Sequence, residues 1–391
     1  EYNGILPDGA AYLGHGVPIP EVQYHLPAAA FNDMTWYNYD SKNAMIITWS
    51  FGVQREILPG HILSVTYAGS AGQHLLARNN PNSMYNPTPE FIDELAANGF
   101  STASVPGWVR YAMVQNSQFY IPYVTYIDNY AHSNYNGMQV SFNRRFQNGL
   151  QAMFNYTWSK AFDNASETIY NRGGSAISMS NPFEPGWDRG YSGYDVRHNF
   201  NCNVIYELPF GPGKWLGGDS SGWMARLIEG WQVNAIVYAN SGYPLDFRVA
   251  RDTLGTGQTS TTRGCARPWL ASNVVTTGPY AGGSGQVVGP TAANFRFSTA
   301  DINLYTPTGD YYRGFFRGPG YFDVDFSIFK NVSLPWFGGE KSQLQLRAEA
   351  FNLFNHSNYT MGGRDLRYAD MGVTYYTNAN RQIQLALKFI F

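Results

Sequence analysis

The chain is short of charge, of cysteine and of long apolar runs. Charged residues make up 14% of its 391 residues, against roughly 25% in soluble domains, and the net charge of −2 excludes a strongly basic nucleic-acid binder. Two cysteines exclude a disulfide scaffold, and we expect Cys202 and Cys265 to stay unbridged. The absence of a run of about 18 apolar residues excludes a transmembrane helix.

The first residues also lack a basic region followed by an apolar one, which is the pattern of a signal peptide. An exported protein without a signal peptide has been processed, or the chain is a fragment, and we expect one of the two.

Aromatic residues are abundant, with 29 Tyr, 25 Phe and 10 Trp. Amphipathic aromatic side chains collect where a membrane protein meets the two lipid–water interfaces. A secreted β-rich protein would also be aromatic, so composition favours a membrane protein without deciding the question.

Alternating apolar and polar residues are the main structural signal. Nine segments alternate in this way, starting near residues 47, 63, 138, 150, 199, 231, 322, 343 and 383. Because a strand sends alternate side chains to opposite faces, each segment predicts a strand with one apolar and one polar face. An antiparallel sandwich gives the same alternation. The strands are longer than the usual ~5–6 residues, and their polar faces carry mainly Asn, Gln, Ser and Thr, which favours a membrane barrel with a hydrated lumen.

This interpretation assigns a direction to each side chain. We predict that Phe154, Tyr156, Phe326 and Leu385 point outward to lipid. We predict that Asn155, Asp325 and Gln384 point inward to the lumen.

The predicted connections alternate between short and long. The short ones are at 58–61, 146–149 and 334–339, and the long ones at 77–133, 163–192, 250–318 and 357–379. Outer-membrane barrels have short periplasmic turns and long extracellular loops. A chain that ends in the periplasm would place every short turn there, although the connection 209–228 is longer than that class should be.

The sequence therefore predicts an all-β fold, an antiparallel transmembrane β-barrel with about nine strands. Residues 1–42 are expected to form an extracellular loop segment, and residues 43–391 the C-terminal part of the barrel. Closed bacterial barrels have an even number of strands, and an open edge in lipid costs several kcal/mol for each unpaired group. We therefore expect further strands from another chain or from an N-terminal portion.

Seven segments carry a resemblance to a known family. They are VTYAGSAGQHL (65–75), NYNGMQV (134–140), NYTWSK (155–160), YDVRHNF (194–200), YELPFG (206–211), RAEAFNLFNH (347–356) and RQIQLALK (381–388). From about residue 43 to the end, the chain resembles the C-terminal barrel half of Oar-like TonB-dependent receptors. The resemblance implies a barrel with 22 strands in the family, an internal plug and energised import.

The leading hypothesis is thus a receptor-transporter of the Gram-negative outer membrane, with TonB-dependent uptake of an unknown substrate. The implied partners are outer-membrane lipid, the remaining N-terminal strands and plug (same or separate chain), a TonB-type energy coupler acting through the plug, and the barrel-assembly machinery. No nucleic acid is expected. One alternative is a cell-surface barrel that displays loops without transport. Another is a soluble secreted β-rich binding module such as a lectin.

The sequence predicts no enzyme, no cofactor and no metal site. The seven histidines are scattered without metal-ligand spacing. Asp323 and Asp325 share one strand face, but solvated lumen charges explain them better than acid–base catalysis does. Opposite charges on the polar faces are expected to form cross-strand contacts. The residues of this candidate lumen charge ladder are Asp195, Arg197, Asp323, Asp325, Arg347 and Glu349.

The C-terminal stripe is the candidate signal for barrel insertion. It consists of alternate apolar residues of the last strand, Ile383, Leu385, Leu387, Phe389 and Phe391. One apolar face and an unpaired strand edge would suit recognition by strand addition. Substrate selection is expected in the long loops, through Tyr120, Tyr123, Tyr126, Tyr130, Tyr280, Tyr311 and Tyr312.

Overall fold

The computed structural model describes most of the predicted strands and parts of the long connections. The described residues are 11–13, 17–19, 34–79, 124–166, 185–245, 269–270, 295–296, 313–334, 342–361, 374–376 and 380–390. Within them the regular secondary structure is almost entirely β. This part of the chain contains no helix that is both long and apolar enough to cross a bilayer.

The strands and the helix are numbered in chain order. They are β1 Ala11–Leu13, β2 Val17–Ile19, β3 Met34–Tyr37, β4 Met45–Leu58, β5 His61–Asn79, β6 Val124–Gln147, β7 Leu150–Asp163, β8 Gly190–Tyr191, β9 His198–Glu207, α1 Gly222–Ile228, β10 Trp231–Asn240, β11 Pro244–Leu245, β12 Trp269–Leu270, β13 Phe295–Arg296, β14 Phe316–Arg317, β15 Tyr321–Ser333, β16 Gln343–Phe351, β17 Tyr359–Met361, β18 Thr374–Tyr376 and β19 Gln382–Ile390. A 3-10 turn covers Pro185–Asp188.

Nine of these strands form one continuous antiparallel sheet. The order across the sheet is β4, β5, β6, β7, β9, β10, β15, β16 and β19, which is also the order in the chain. β3 pairs in parallel with the start of β6, and β8 pairs with the end of β7. The long connections leave one end of the sheet, called the loop end here, and the short connections leave the other, the turn end. The predicted all-β antiparallel fold with nine strands is confirmed.

The strand register collects the apolar side chains on one face. One apolar row crosses seven strands through Val53, Val65, Val140, Tyr156, Phe200, Ala239 and Phe322. The adjacent row, on the opposite face, runs through Gln54, Ser64, Ser141, Asn155, Asn201, Tyr238 and Asp323. The residues predicted to point outward therefore share one face, and those predicted to point inward share the other.

The hairpin between β6 and β7 shows why its sequence forms a tight turn. Asn148 and Gly149 have φ values of 52° and 77°. Both values are positive, as a two-residue turn between twisted strands requires, and Asn-Gly is the pair that tolerates this best. A Cβ on Gly149 would also lie 3.0 Å from the carbonyl oxygen of Glu207.

Two connections differ from their predicted extent. β5 continues to Asn79 and β6 begins at Val124, so Tyr126 and Tyr130 are strand residues and not part of a loop spanning 77–133. Pairing continues there because register shifts between Gly72 and Ala77 absorb the break in alternation. The connection between β9 and β10 contains the helix α1, which explains its unusual length.

Both edges of the sheet are open in the part of the chain that the structure describes. Among the described residues, β4 and β19 each pair with a single neighbour, β5 and β16 respectively. The apolar side chains of β19 are among the most exposed, with Leu385 at 78%. Since unpaired backbone groups in lipid cost several kcal/mol each, this sheet needs additional strands to span a membrane.

Neighbouring residues of β19 allow a matched test of the two faces. Leu385→Arg places a charge on the apolar face, where lipid contact makes it cost about 2–4 kcal/mol near the bilayer midplane. Gln384→Arg places the same charge on the polar face and should cost much less. Chemical unfolding of the lipid-reconstituted full-length protein measures both. Equal destabilisation, or the reverse order, would contradict the assignment of the faces.

Candidate functional site: a buried charge cluster at the loop end

The largest concentration of buried charge in the described residues lies at the loop end of the sheet. We call it the rim cluster and define it as Asp163, Ser166, Asp195, Arg313 and Arg317. Asp163 is the last residue of β7, on its polar face, and Arg317 is the last residue of β14. The cluster therefore joins the sheet to residues of two long connections, the one between β7 and β9 and the one between β10 and β15.

Arg313 is held by every nitrogen of its guanidinium group. Its Nε donates to the carbonyl oxygen of Asp188 (2.8 Å), and its Nη1 donates to Oγ of Ser166 (2.7 Å). Its Nη2 donates to the carbonyl oxygen of Asp163 (2.8 Å) and forms an ion pair with the Asp163 carboxylate. Oγ of Ser166 lies 3.0 Å from both oxygens of that carboxylate. Each of the three nitrogens of this planar fork thus has at least one acceptor.

Arg317 forms the second ion pair of the cluster, with Asp195. Nη2 of Arg317 pairs with Oδ2 of Asp195, and Nη1 donates to the Asp195 carbonyl oxygen (3.1 Å). The other carboxylate oxygen of Asp195 accepts a hydrogen bond from the backbone N–H of Ala161 in β7 (2.6 Å). A single carboxylate therefore connects β14 to β7, over more than 100 residues of chain.

The aromatic ring of Tyr191 lies close to two guanidinium groups. The ring of Tyr191 stacks on Phe162, with 4.6 Å between centroids. The guanidinium carbons of Arg317 and Arg197 lie 4.6 Å and 5.1 Å from the Tyr191 centroid. Nη2 of Arg197 also donates to the Tyr191 hydroxyl (2.5 Å). The ring's negative faces stabilise both cations.

Glycines allow the two connections to approach each other closely. A Cβ on Gly190 would lie only 2.0 Å from the carbonyl oxygen of Arg313. That carbonyl accepts a hydrogen bond from the N–H of Tyr191 (2.9 Å). Gly314 has φ +70°, a conformation that L side chains rarely adopt. The backbone at these positions thus requires glycine for the cluster to form.

Arg313 keeps its positive charge despite its burial. Arg313 is 2% exposed and Asp195 is 1% exposed. Burial lowers the pKa of the Arg313 guanidinium to about 10. Because this value is far above neutral pH, the side chain stays cationic and its pair with Asp163 remains ionic.

The rim cluster has a structural role, because its ion pairs and hydrogen bonds hold separate chain segments together. Both guanidinium groups form an ion pair with a carboxylate of the cluster and donate hydrogen bonds to backbone carbonyl oxygens. Among the described residues no group of three or more His, Cys, Asp or Glu side chains is arranged to hold a metal ion. What the cluster does physically is to fix the ends of the connections 164–197 and 241–320 against the end of β7.

Two residues of the predicted charge ladder lie at the rim cluster. Asp195 and Arg197 were expected to form cross-strand contacts on one polar face; in the structure Asp195 pairs with Arg317, and Arg197 donates to the Tyr191 hydroxyl. The reason is that Asp195 lies in a turn before β9, where strand alternation does not set side-chain direction.

The other four ladder residues lie on the polar face of β15 and β16. Asp323 accepts a hydrogen bond from the Tyr321 hydroxyl (3.3 Å), and Asp325 accepts one from the N–H of Asn352 (3.0 Å). Nε of Arg347 donates to Gln345 (2.6 Å), and its guanidinium lies over the Phe329 ring. Glu349 faces Ser327 and Gln384 in the register. Their role as a lumen ladder stays a prediction.

The insertion-signal residues share the apolar face of β19. Ile383, Leu385, Leu387 and Phe389 are described there, whereas Phe391 lies outside the described residues. Their role stays a prediction. Of the loop tyrosines, Tyr120, Tyr123, Tyr280, Tyr311 and Tyr312 also lie outside the described residues. Cys202 is a buried free thiol.

Sequence reasoning did not find Asp163, Ser166, Arg313 or Arg317. The partners of each ion pair are more than 100 residues apart, so no local spacing connects them. A usable signal was present in Arg313-Gly314-Phe315-Phe316-Arg317-Gly318, which repeats an Arg-Gly pair in a chain of low charge.

Comparison with known proteins gives a family and two distant structural likenesses. The family described as outer membrane beta barrel domain matches residues 5–384. The outer membrane transporter YddB from Escherichia coli is similar at 10% identity and a TM-score of 0.44, over 91% of this chain and 34% of YddB. P. aeruginosa FpvA, in a complex with a pyoverdine and iron, is similar at 10% identity and a TM-score of 0.38, over 89% of this chain and 27% of FpvA. The chain thus spans about a third or less of either protein. No curated protein sequence matches it.

Removing one partner of the Asp163–Arg313 pair should loosen the rim cluster. Arg313→Met leaves a buried carboxylate uncompensated, which typically costs about 3–5 kcal/mol. Amide hydrogen exchange at Tyr191 and Ser192, whose N–H groups bond to Arg313 and Ala161, should then accelerate by about a hundredfold or more.

The double variant Asp163→Asn with Arg313→Met removes both charges of this pair, so neither stays buried without its partner, and it should recover part of this protection. Arg189→Met, at an exposed position beside the cluster, is the matched control and should leave exchange unchanged. Equal exchange in Arg313→Met and the control would show that the pair does not hold the connections.

Proposed function

Since the chain belongs to the family of outer-membrane β-barrel domains, we propose that it forms the C-terminal barrel portion of a receptor that imports a substrate across the outer membrane. Within that family we propose an Oar-like TonB-dependent receptor, on the resemblance of the seven segments described above. Uptake would then be driven by a TonB-type coupler acting through a plug. These residues do not identify the substrate.

The observation that carries this proposal is the combination of a continuous polar face with two open edges. A face of Asn, Gln, Ser, Thr and Asp side chains across nine strands suits contact with water. Open edges require more strands, and a barrel much larger than nine strands encloses a lumen that side chains alone do not fill. A large hydrated lumen that houses a plug is the architecture of an energised importer.

The division of the chain follows from the same proposal. Residues 43–391 would form part of the barrel wall, completed by N-terminal strands of the same or a separate chain. Residues 1–42 would be extracellular, in line with the pairing of β3 with β6 at the loop end. The barrel-assembly machinery would be the partner during insertion.

A display barrel without transport is the second candidate, and the rim cluster is the observation that favours it. Two buried ion pairs fix the bases of long connections, as a scaffold for surface recognition would require. A receptor needs the same rigidity to present a binding surface, so the rim cluster fits both candidates. The two candidates differ in whether the lumen of the barrel serves transport.

Ion conductance of the receptor without its plug tests the proposal. We expect a plug-free barrel in a planar bilayer to conduct ions through its lumen. Replacing Asp323→Asn together with Glu349→Gln removes two negative charges from the proposed lumen wall and should lower the preference for cations. The matched control is Asp219→Asn, which removes a charge at an exposed position outside the barrel wall.

A full-length gene product without a plug would contradict transport and favour display. A plug-free barrel that conducts no ions would also contradict transport and favour display. Conductance whose selectivity responds equally to Asp219→Asn would show that Asp323 and Glu349 do not line the lumen.

Deletion of Phe391 tests the proposed insertion signal. Loss of one apolar side chain from a large folded barrel costs at most a few kcal/mol of burial, whereas loss of a recognition signal should abolish insertion. We expect surface-exposed receptor in cells to fall sharply on deletion. Phe351→Ala, at an exposed Phe of β16, is the control. Normal surface levels after deletion would exclude the signal role.

A further inference from the structure

The connection between β9 and β10 is a folded unit at the turn end, here called the turn-end unit and defined as residues 208–230. Its backbone is closed by hydrogen bonds from Gly211 to Leu216 (2.8 Å), from Gly213 to Gly218 (3.0 Å) and from Leu208 to Trp231 (2.8 Å). Helix α1 occupies its second half. A turn serving only to reverse the chain would not need this structure.

Helix α1 has one side packed against the unit and one side uncovered. Ala225 is buried, and the side chain of Ile228 fills the space beside Gly217, where a Cβ would lie 2.3 Å from its Cδ1. Trp223, Met224 and Leu227 are 73%, 44% and 56% exposed. Their spacing of three and four residues places them on one face of the helix.

A second tryptophan of the same unit is also exposed. Trp215 is 83% exposed. Several large apolar side chains exposed in one small folded unit mark a surface that something covers. We call Trp215, Trp223, Met224 and Leu227 the turn-end patch.

Two side chains place the helix on the apolar side of the sheet. Trp231 and Lys330 face each other in the register, in the same row as Leu346 and Leu387 on the apolar face. Nζ of Lys330 donates to the carbonyl oxygens of Arg226 (2.6 Å) and of Glu229. Nε1 of Trp231 donates to the carbonyl oxygen of Leu227 (3.0 Å).

These contacts satisfy carbonyl groups at the C-terminal end of α1, where a cation is electrostatically favourable. The side chain of Lys330 is 6% exposed, so the barrel wall contributes a buried charge to hold this short helix in position. The helix is thereby attached at the margin of the surface that meets lipid.

We propose that the turn-end unit is an interfacial membrane anchor, in which the turn-end patch inserts into the lipid at the boundary between headgroups and acyl chains. The helix that carries three residues of the patch is bound by Trp231 and Lys330, which lie on the lipid-facing side of the barrel. Tryptophan favours this boundary because it has an apolar body and one N–H donor. A short helix with one apolar face lies in the plane of such an interface.

Spin-label accessibility on the full-length receptor tests this inference. The native cysteines are replaced by Ser, and a nitroxide is attached to Leu227→Cys or, as a matched control, to Asp219→Cys at an exposed position of the same unit. The protein is reconstituted into phosphatidylcholine vesicles. We expect the label at Leu227 to collide more with oxygen than with a water-soluble nickel complex, and the label at Asp219 to show the reverse order.

Two results would overturn the proposal. A label at Leu227 as accessible to nickel as the label at Asp219 would place the patch in water, free for a periplasmic protein. A label shielded from both agents would place it against the receptor itself. Met224→Cys, on the same face, replaces Leu227→Cys if that variant does not reach the folded state. The folded state is verified by the faster electrophoretic migration of an unheated barrel.

Discussion

In a hydrocarbon phase each unpaired backbone N–H or C=O group costs several kcal/mol, which limits the structures that can cross a membrane. The nine strands meet this constraint by antiparallel pairing without interruption from β4 to β19. The same pairing fixes the register, and the register aligns most apolar side chains with apolar residues of the neighbouring strands. The separation into two faces is therefore a consequence of backbone pairing combined with strict alternation.

At the two ends of the sheet the chain leaves the regular ladder, and side chains take over the pairing of backbone groups. At the loop end, Arg313 binds the carbonyl oxygens of Asp163 and Asp188, while Asp195 accepts from the Ala161 N–H. At the turn end, Lys330 and Trp231 bind carbonyl oxygens of α1. At each end of the sheet, side-chain groups thus form hydrogen bonds with backbone groups, as neighbouring strands do within the sheet.

The side chains at the loop end and at the turn end of the sheet differ in whether they are paired. The rim cluster is a closed set, because its carboxylates and guanidinium groups are paired with one another and with backbone groups. A buried pair of this kind is costly to desolvate, so its net contribution to stability is small although the loss of one partner is strongly destabilising. The turn-end patch is open, with its aromatic and aliphatic side chains uncovered, and its position beside the apolar face fits contact with lipid.

The sequence by itself determined the fold class, the nine strands and the assignment of side chains to faces, because alternation with a period of two is a local property. It also determined the Asn148–Gly149 turn, since positive φ at both positions is a demand on those two residues alone. Only the tertiary structure decided that Asp195 pairs with Arg317, that Asp163 pairs with Arg313, and that α1 is attached by Lys330. These contacts join residues about 100 or more apart, whose meeting depends on how strands align across the sheet and on where chains leave its ends. Alternation gives the face of a strand residue, but it says nothing about the direction of a side chain in a turn.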